Sequence, residues 1–121
     1  MAVAMSGMVA VIALLCVAVA SIATLYAARA QATNAADSAA LAAAVATYPP
    51  TGQGMPSVEA RYVAELNGAK LLSCDCRRDG TMAVRTAQVM TAIRTKVPLF
   101  GEFEVRGIAR AEFDPRRWLG R

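Results

Sequence analysis

Cysteine and carboxylate side chains are the candidates for chemistry in this sequence, because its 121 residues include no histidine. Cys74 and Cys76 are two residues apart, whereas Cys16 lies in an apolar segment. A zinc site would need two further ligands, and redox catalysis typically uses two intervening residues at the start of a helix. On a strand, side chains two residues apart project in parallel, which disfavours a mutual disulfide. We therefore expect Cys74 and Cys76 to be small apolar core residues. An intermolecular or post-export disulfide is the next alternative, followed by catalysis or metal binding.

The carboxylate pairs do not indicate a catalytic site. Glu102 with Glu104, and Glu112 with Asp114, occupy alternate positions and are typical of the solvated face of a strand. Without histidine, the Ser-His and Cys-His nucleophile arrangements and histidine metal ligands are excluded. The sequence therefore predicts a protein that is not an enzyme and that has no cofactor, no metal and no small-molecule substrate.

Charge divides the chain into two parts. Residues 1–28 carry no charged side chain, and all 13 Lys/Arg and 9 Asp/Glu lie from Arg29 onward. Because about 20 helical residues cross the hydrocarbon core of a bilayer, we predict a single-pass transmembrane anchor over residues 1–28, in the cell membrane. The net charge of +4 is spread among acids rather than clustered, so we expect no nucleic-acid partner.

Helix-favouring sequence continues beyond the anchor. Residues 27–46 contain 12 alanines, and neither glycine nor proline follows before Pro49. Alanine is the best helix former, so we predict one helix that ends near Thr47, with a stem over residues 29–48. Small residues at four-residue spacing, which permit close helix packing, form a row along it: Cys16, Ala20, Thr24, Ala28, Ala32, Ala36, Ala40 and Ala44. Such a row also arises easily from an alanine-rich composition.

The remaining residues predict a linker over 49–55 and a small α+β domain over 56–121. The turn formers from Pro49 to Gly54 indicate the linker. Helical spacing from Pro56 to Leu66 predicts a short helix that stops at Asn67-Gly68. The apolar stripe expected to face the core of this helix is Val58, Tyr62, Val63 and Leu66.

Three segments after the short helix predict antiparallel strands. In Lys70–Arg78 we expect Leu72, Cys74 and Cys76 on one face, followed by a tight hairpin at Asp79-Gly80. A second strand is predicted over Met82–Met90, and a turn or bulge over Val97–Gly101. The clearest alternation, Phe103–Phe113, predicts the last strand, in which only Ile108 interrupts the polar face. The predicted fold class is α+β: a long transmembrane helix continuing into a stem, a short helix and a three-stranded antiparallel sheet.

One passage of the stem resembles a known family. Residues 29–44 read RxQxxxAADxAALAAA, with Arg29, Gln31, Asp37 and Leu41 at fixed spacing. This passage is similar to the stem of TadE/TadG-like proteins, the minor pilins or pseudopilins of tight-adherence (Flp) pilus systems. Residues 64–74, followed by Asp79-Gly80, are similar to the short actinobacterial branch of that group.

The resemblance implies a membrane-anchored structural protein whose C-terminal domain is extracytoplasmic. Its function would be to assist assembly of a tight-adherence-type pilus or secretion apparatus through helix packing. The implied partners are the lipid bilayer and other pilin-like subunits or secretion-platform proteins. Arg29, Gln31, Asp37 and Leu41 would belong to the stem that packs on those subunits.

Two other functions stay open on the sequence. Ala28-Arg29-Ala30 fits a small-x-small cleavage pattern, and cleavage near Ala30 would release an exported soluble binding protein. The chain could also be a single-span regulator of a membrane partner. Prepilin-peptidase processing is not expected, because Gly7 is followed by an uncharged run and no acid precedes Asp37.

Overall fold

The computed structural model describes residues 1–51 and 54–120. Over these ranges a long helix and a short one precede three antiparallel strands, ordered β1-β2-β3 in one sheet. The predicted α+β fold class is confirmed. The elements are α1 (Ala2–Ala46), a 3-10 turn (Pro49–Thr51), α2 (Pro56–Leu66), β1 (Lys70–Asp75), β2 (Arg85–Val97), β3 (Gly101–Phe113) and α3 (Pro115–Leu119). The predicted linker 49–55 lies partly outside the described residues, as does Arg121 at the end of the predicted domain.

Helix α1 is continuous over 45 residues, about 67 Å at 1.5 Å per residue. The prediction that it ends near Thr47 is confirmed, because Thr47 is its C-cap and its hydroxyl donates to the carbonyl oxygen of Ala44 at 2.6 Å. Its two halves have different environments. From Val3 to Ala20 every side chain is exposed apart from half-buried Val17, whereas from Ala28 onward one face is buried.

The buried face of α1 covers the sheet, and the core between them is built from small side chains. Alanines allow the helix backbone to approach the strands closely, so a layer with few large residues still excludes water. Val89, Tyr48 and Phe113 supply most of the larger apolar volume. The buried alanines of this core are Ala36, Ala39, Ala40, Ala43, Ala44, Ala60, Ala64, Ala87, Ala109 and Ala111.

Helix α2 has the predicted bounds but buries a different face. It ends before Asn67, and Gly68 adopts a left-handed φ of 73°, which glycine tolerates without strain. The predicted core stripe is wrong, because Ala60 and Ala64 are fully buried while the large side chains Val58, Tyr62 and Leu66 are exposed. The alanine surface of α1 accepts a second alanine face at close range, and this contact decides the rotation of α2.

A bulge in β1 overturns the predicted alternation of that strand. The register with β2 shifts between Leu71 and Ser73, so Leu71 and Cys74 pack against the core while Leu72 is exposed. A bulge adds one residue to one strand and changes the face on which later side chains lie. The strand ends at Asp75, three residues before the predicted end.

The predicted tight hairpin at Asp79-Gly80 is wrong, because a longer loop joins β1 to β2. The Asp79 carboxylate accepts a hydrogen bond from the backbone N–H of Thr81 at 2.8 Å, forming a local turn. The backbone N–H of Asp79 donates to the carbonyl oxygen of Thr47 at 2.8 Å, which ties the loop to the end of α1. Strand β2 begins at Arg85 rather than Met82 and extends past Met90 to Val97.

Strands β2 and β3 form the long hairpin of the sheet, and the predicted turn between them is confirmed. Val97 pairs with Gly101 next to the turn, and Arg85 pairs with Phe113 at the other end. In β3 every second residue from Gly107 to Phe113 is buried, and Ile108 is exposed on the outer face, as predicted. After β3, Asp114 caps the short helix α3 by accepting from the N–H of Arg116 at 3.0 Å.

Candidate helix-packing site

The upper half of the small-residue row packs inside the chain itself. The buried members, which lie beneath the sheet and against α2, are Ala28, Ala32, Ala36, Ala40 and Ala44. Their small side chains permit the close approach that the spacing indicated. This face of α1 is therefore occupied by the sheet and by α2 of the same molecule.

The closest approach of helix and sheet is at the backbone of Ala32. The hydroxyl of Thr91, which is fully buried, donates to the carbonyl oxygen of Ala32 at 2.8 Å. Gly107 pairs with Thr91 across the sheet, and a Cβ at Gly107 would lie 2.3 Å from that same carbonyl oxygen. Sequence reasoning missed both residues, although a glycine inside a strand is itself a sign of close backbone approach.

The lower half of the row lies on the exposed part of α1. Cys16 and Ala20 are exposed, and Thr24 is half-buried. The hydroxyl of Thr24 donates to the carbonyl oxygen of Ala20 at 2.8 Å, and that of Ser21 donates to the carbonyl oxygen of Val17 at 2.8 Å. Because these hydroxyls are satisfied within the helix, the segment presents an apolar surface that suits lipid or another helix.

The four family-like stem residues lie on the exposed side of α1. Arg29, Gln31, Asp37 and Leu41 are all exposed, and the side chain of Leu41 is 62 % exposed. Gln31 also makes a contact within the chain, because its amide nitrogen donates to the carbonyl oxygen of Asn67 at 3.3 Å. The surface around Asp37 and Leu41 is therefore free of the sheet.

Cys74 and Cys76 form a disulfide, so the expectation of two parallel core thiols is wrong. The chain leaves the strand after Asp75, and the two Cα atoms approach to 5.4 Å, whereas strand residues two apart would be separated by about 6.6 Å. The observed separation lies within the usual range for a disulfide. Cys16 is free and lies on α1.

Arg85 and Asp79 organise the loop that joins β1 to β2. The guanidinium of Arg85 donates to the carbonyl oxygens of Asp79 and Thr81 and lies 5.5 Å from the centroid of the Tyr48 ring. The hydrogen bond from the backbone N–H of Thr81 lowers the pKa of Asp79 below its ordinary value of 3.8. These contacts hold the loop against the end of α1, and we assign them a structural role.

The geometry defines a class of protein. Among the described residues one helix, from Val3 to Ala46, is long and apolar enough to cross a membrane, and its most apolar part is exposed rather than enclosed in a core. A core helix of a soluble protein would be mostly buried. These features suggest an N-terminal membrane anchor, and the same helix continues into the α+β part of the chain.

Comparison with known families adds a narrower assignment. Residues 1–46 match the family described as Tad, putative Flp pilus-assembly TadE/G-like. The resemblance to TadE/TadG-like proteins is therefore confirmed for α1, and the similarity of residues 64–80 to an actinobacterial branch stays a prediction. No curated protein and no solved structure gives a significant match to the chain. The family match and the exposed apolar helix together fit a membrane-anchored pilus-assembly component, and that family points to a structural role.

Proposed function

We propose that this chain is a pilin-like structural component of a tight-adherence-type pilus or secretion apparatus, and that it assists assembly by packing its N-terminal helix on other subunits. The observation that carries the proposal is that the matched residues 1–46 coincide with α1. From Val3 to Ala20, every side chain of this helix apart from half-buried Val17 is exposed. A long helix with one anchored half and one exposed stem face suits side-by-side packing with similar helices.

The burial pattern of α1 supports a contact with other subunits on one of its faces. Ala32, Ala36 and Ala40 are buried against the chain's own sheet and are unavailable to a partner. The stem surface that remains contains Asp37 and Leu41, and the anchor adds the exposed small residues Cys16 and Ala20. We therefore place the subunit contact on the stem face opposite the sheet and along the anchor below it.

Photo-crosslinking in cells of the native organism tests this placement. A photoreactive residue at Leu41 should capture a pilin-like subunit or a secretion-platform protein that mass spectrometry identifies. Ile108 provides a matched control, because it is an aliphatic residue of similar exposure on the outer face of the sheet. Capture of a different membrane protein from Leu41, with no pilus or platform subunit, would instead support the single-span regulator.

The soluble alternative is separated by intact mass. Cleavage near Ala30 would leave Ala32–Ala46 on the sheet and remove the exposed apolar half of α1. We expect the native protein, extracted from membranes, to keep this half. A mass lower by about 30 residues, with the protein found in the medium, would show a processed soluble form and contradict the anchored function.

We also propose that the C-terminal domain is extracytoplasmic. The Cys74–Cys76 disulfide supports this, because structural disulfides persist outside the reducing cytosol. If cells are lysed directly into a denaturant with an alkylating reagent, Cys16 should react and the disulfide pair should react only after reduction. Alkylation of all three cysteines without reduction would place the domain in a reducing compartment.

A further inference from the structure

The turn between β2 and β3 lies against the part of α1 that the sequence assigns to the membrane. Ser21 is only 6 % exposed, and its hydroxyl oxygen lies 3.5 Å from the carbonyl oxygen of Pro98 in this turn. The apolar groove between helix and hairpin is lined by Ala18, Ile22, Leu25, Val97, Phe100 and Phe103, together with Ser21. The hairpin therefore reaches down α1 to within about 30 Å of its N-terminus, at 1.5 Å per residue.

The tip of this hairpin, Pro98–Gly101, carries no charge and leaves most of its two large apolar side chains exposed. Leu99 is 84 % exposed and Phe100 is 67 % exposed. Leu99 also has a φ of 66°, in the left-handed region where glycine or asparagine is less strained than leucine. A leucine that holds a left-handed backbone conformation and buries so little of its side chain gains little from folding alone, and lipid would cover its apolar surface.

The position of the tip along α1 matches the boundary of the hydrocarbon core of a bilayer. The 20 uncharged residues Ala2–Ser21 are by themselves long enough to span about 30 Å, the thickness of the hydrocarbon core. Next to the tip, four charged residues are exposed on the hairpin. In the strand register Lys96 lies opposite Glu102, and Arg94 lies opposite Glu104. If hydrocarbon extended to residue 28, the charges next to the tip would enter it at considerable cost. An edge near Ser21 places these charges among the headgroups and the tip just inside them.

We propose that the β2–β3 tip inserts into the membrane interface beside α1, so that lipid covers Leu99 and Phe100 and the bilayer contacts the protein at two points. The occupant is lipid because the groove is continuous with the exposed apolar surface of the anchor. The transmembrane segment is then residues 2–21, shorter than the 28 residues expected from charge alone. This inference rests on the proposed membrane anchoring and is independent of any role in pili.

Tryptophan fluorescence in lipid vesicles tests the proposal. The full chain with Phe100→Trp and Trp118→Phe, reconstituted in phosphatidylcholine vesicles, reports on the tip. The wild-type chain is the matched control, because Trp118 follows the opposite end of β3, about 40 Å from the tip at about 3.3 Å per strand residue. Leu99→Trp in the same Trp118→Phe background replaces a side chain that is 84 % exposed and provides a second reporter if Phe100→Trp does not fold.

We expect the tip reporter to emit at a shorter wavelength than the wild-type protein. Lipids brominated near the headgroup should quench it at least threefold more strongly than they quench Trp118, and more strongly than lipids brominated near the chain ends. Wild-type-like emission and quenching in protein that still floats with the vesicles would overturn the inference alone. A blue shift without lipid quenching would show that protein covers the tip, and would overturn it too. Failure of the chain to float would overturn both the anchoring and the inference.

Discussion

Substituting Gly107 by alanine should separate α1 from the sheet at their closest point. The added Cβ would lie 2.3 Å from the carbonyl oxygen of Ala32, 2.4 Å from its carbonyl carbon and 2.7 Å from the nitrogen of Thr33. These are backbone atoms of a helix, so no side-chain rotation relieves the overlap. Ordinary contact begins at 3.4 Å, and the two layers must therefore move apart by about 1 Å.

Two losses add to give the expected magnitude. Overpacking of a dense core costs about 1–3 kcal/mol. The same movement breaks the 2.8 Å hydrogen bond from Thr91 to the carbonyl oxygen of Ala32, and an unsatisfied buried hydroxyl costs about 1–3 kcal/mol more. We expect Gly107→Ala to lower the free energy of unfolding of the domain by about 3 kcal/mol, a large part of the stability of a small domain.

Amide hydrogen exchange of β2, measured by mass spectrometry on the detergent-solubilised full chain, reads out this change. A loss of about 3 kcal/mol should accelerate exchange about a hundredfold. Gly80→Ala is the matched control, because an added Cβ there meets nothing within 4 Å. Exchange in Gly107→Ala within threefold of the Gly80→Ala rate would refute the close helix–sheet contact.

The remaining predictions concern the loop and the disulfide. Because the pKa of Asp79 is lowered in the folded protein, its contribution to stability is present above the ordinary value of 3.8 and is lost as the pH falls below it. Urea titrations of detergent-solubilised protein between about pH 5 and about pH 3 should therefore show a smaller loss of stability in Asp79→Asn than in the wild type, and equal slopes would contradict this. Reduction of Cys74–Cys76 should cost only about 1.5 kcal/mol, because the disulfide closes a loop of very few residues. The same reduction of a Cys16→Ser variant should cost the same, and a loss above about 4 kcal/mol would show that the disulfide supports more than this loop.

Hydrophobic periodicity and amino-acid composition predicted the elements whose structure depends on one dominant physical effect, namely β3 and α1. β3 has one buried and one solvated face, so its alternation is read directly from the sequence. Helix α1 consists largely of alanine without a helix breaker, and its end near Thr47 is equally direct. The helix propensity of alanine and the two-residue period of a one-faced sheet are local properties that tertiary contacts did not change.

The errors arose where a contact between elements decided the outcome. In α2 the sequence pattern places the largest apolar residues in the core, but Ala60 and Ala64 are buried there and Tyr62 is exposed. In β1 the bulge after Leu71 is set by pairing with β2, which a single segment does not reveal. The α3 helix had a local signal, since Asp114-Pro115 combines an N-cap with proline at the first helical position.

The assignment of helix-packing residues stays a prediction. The row of small residues was visible as a pattern, but the sequence does not say whether its partner is a sheet of the same chain or another subunit. The disulfide was misjudged because strand geometry was extended one residue too far, to Cys76. The hairpin tip at Leu99 was missed because its meaning depends on how far down α1 it lies, and sequence spacing does not give that distance.

Helix α1 is uninterrupted from Ala2 to Ala46, so its two ends move together. From residue 8 to residue 48 the sequence contains neither glycine nor proline, so the helix has no hinge between the bilayer and the far end of the sheet. Thr47 lies about 39 Å beyond Ser21 along the axis, and a helix tilt of about 20° displaces it sideways by about 13 Å. With α1 anchored in a bilayer as proposed, a change in bilayer thickness or in the packing of the anchor would displace the neighbouring Tyr48 sideways by a similar distance.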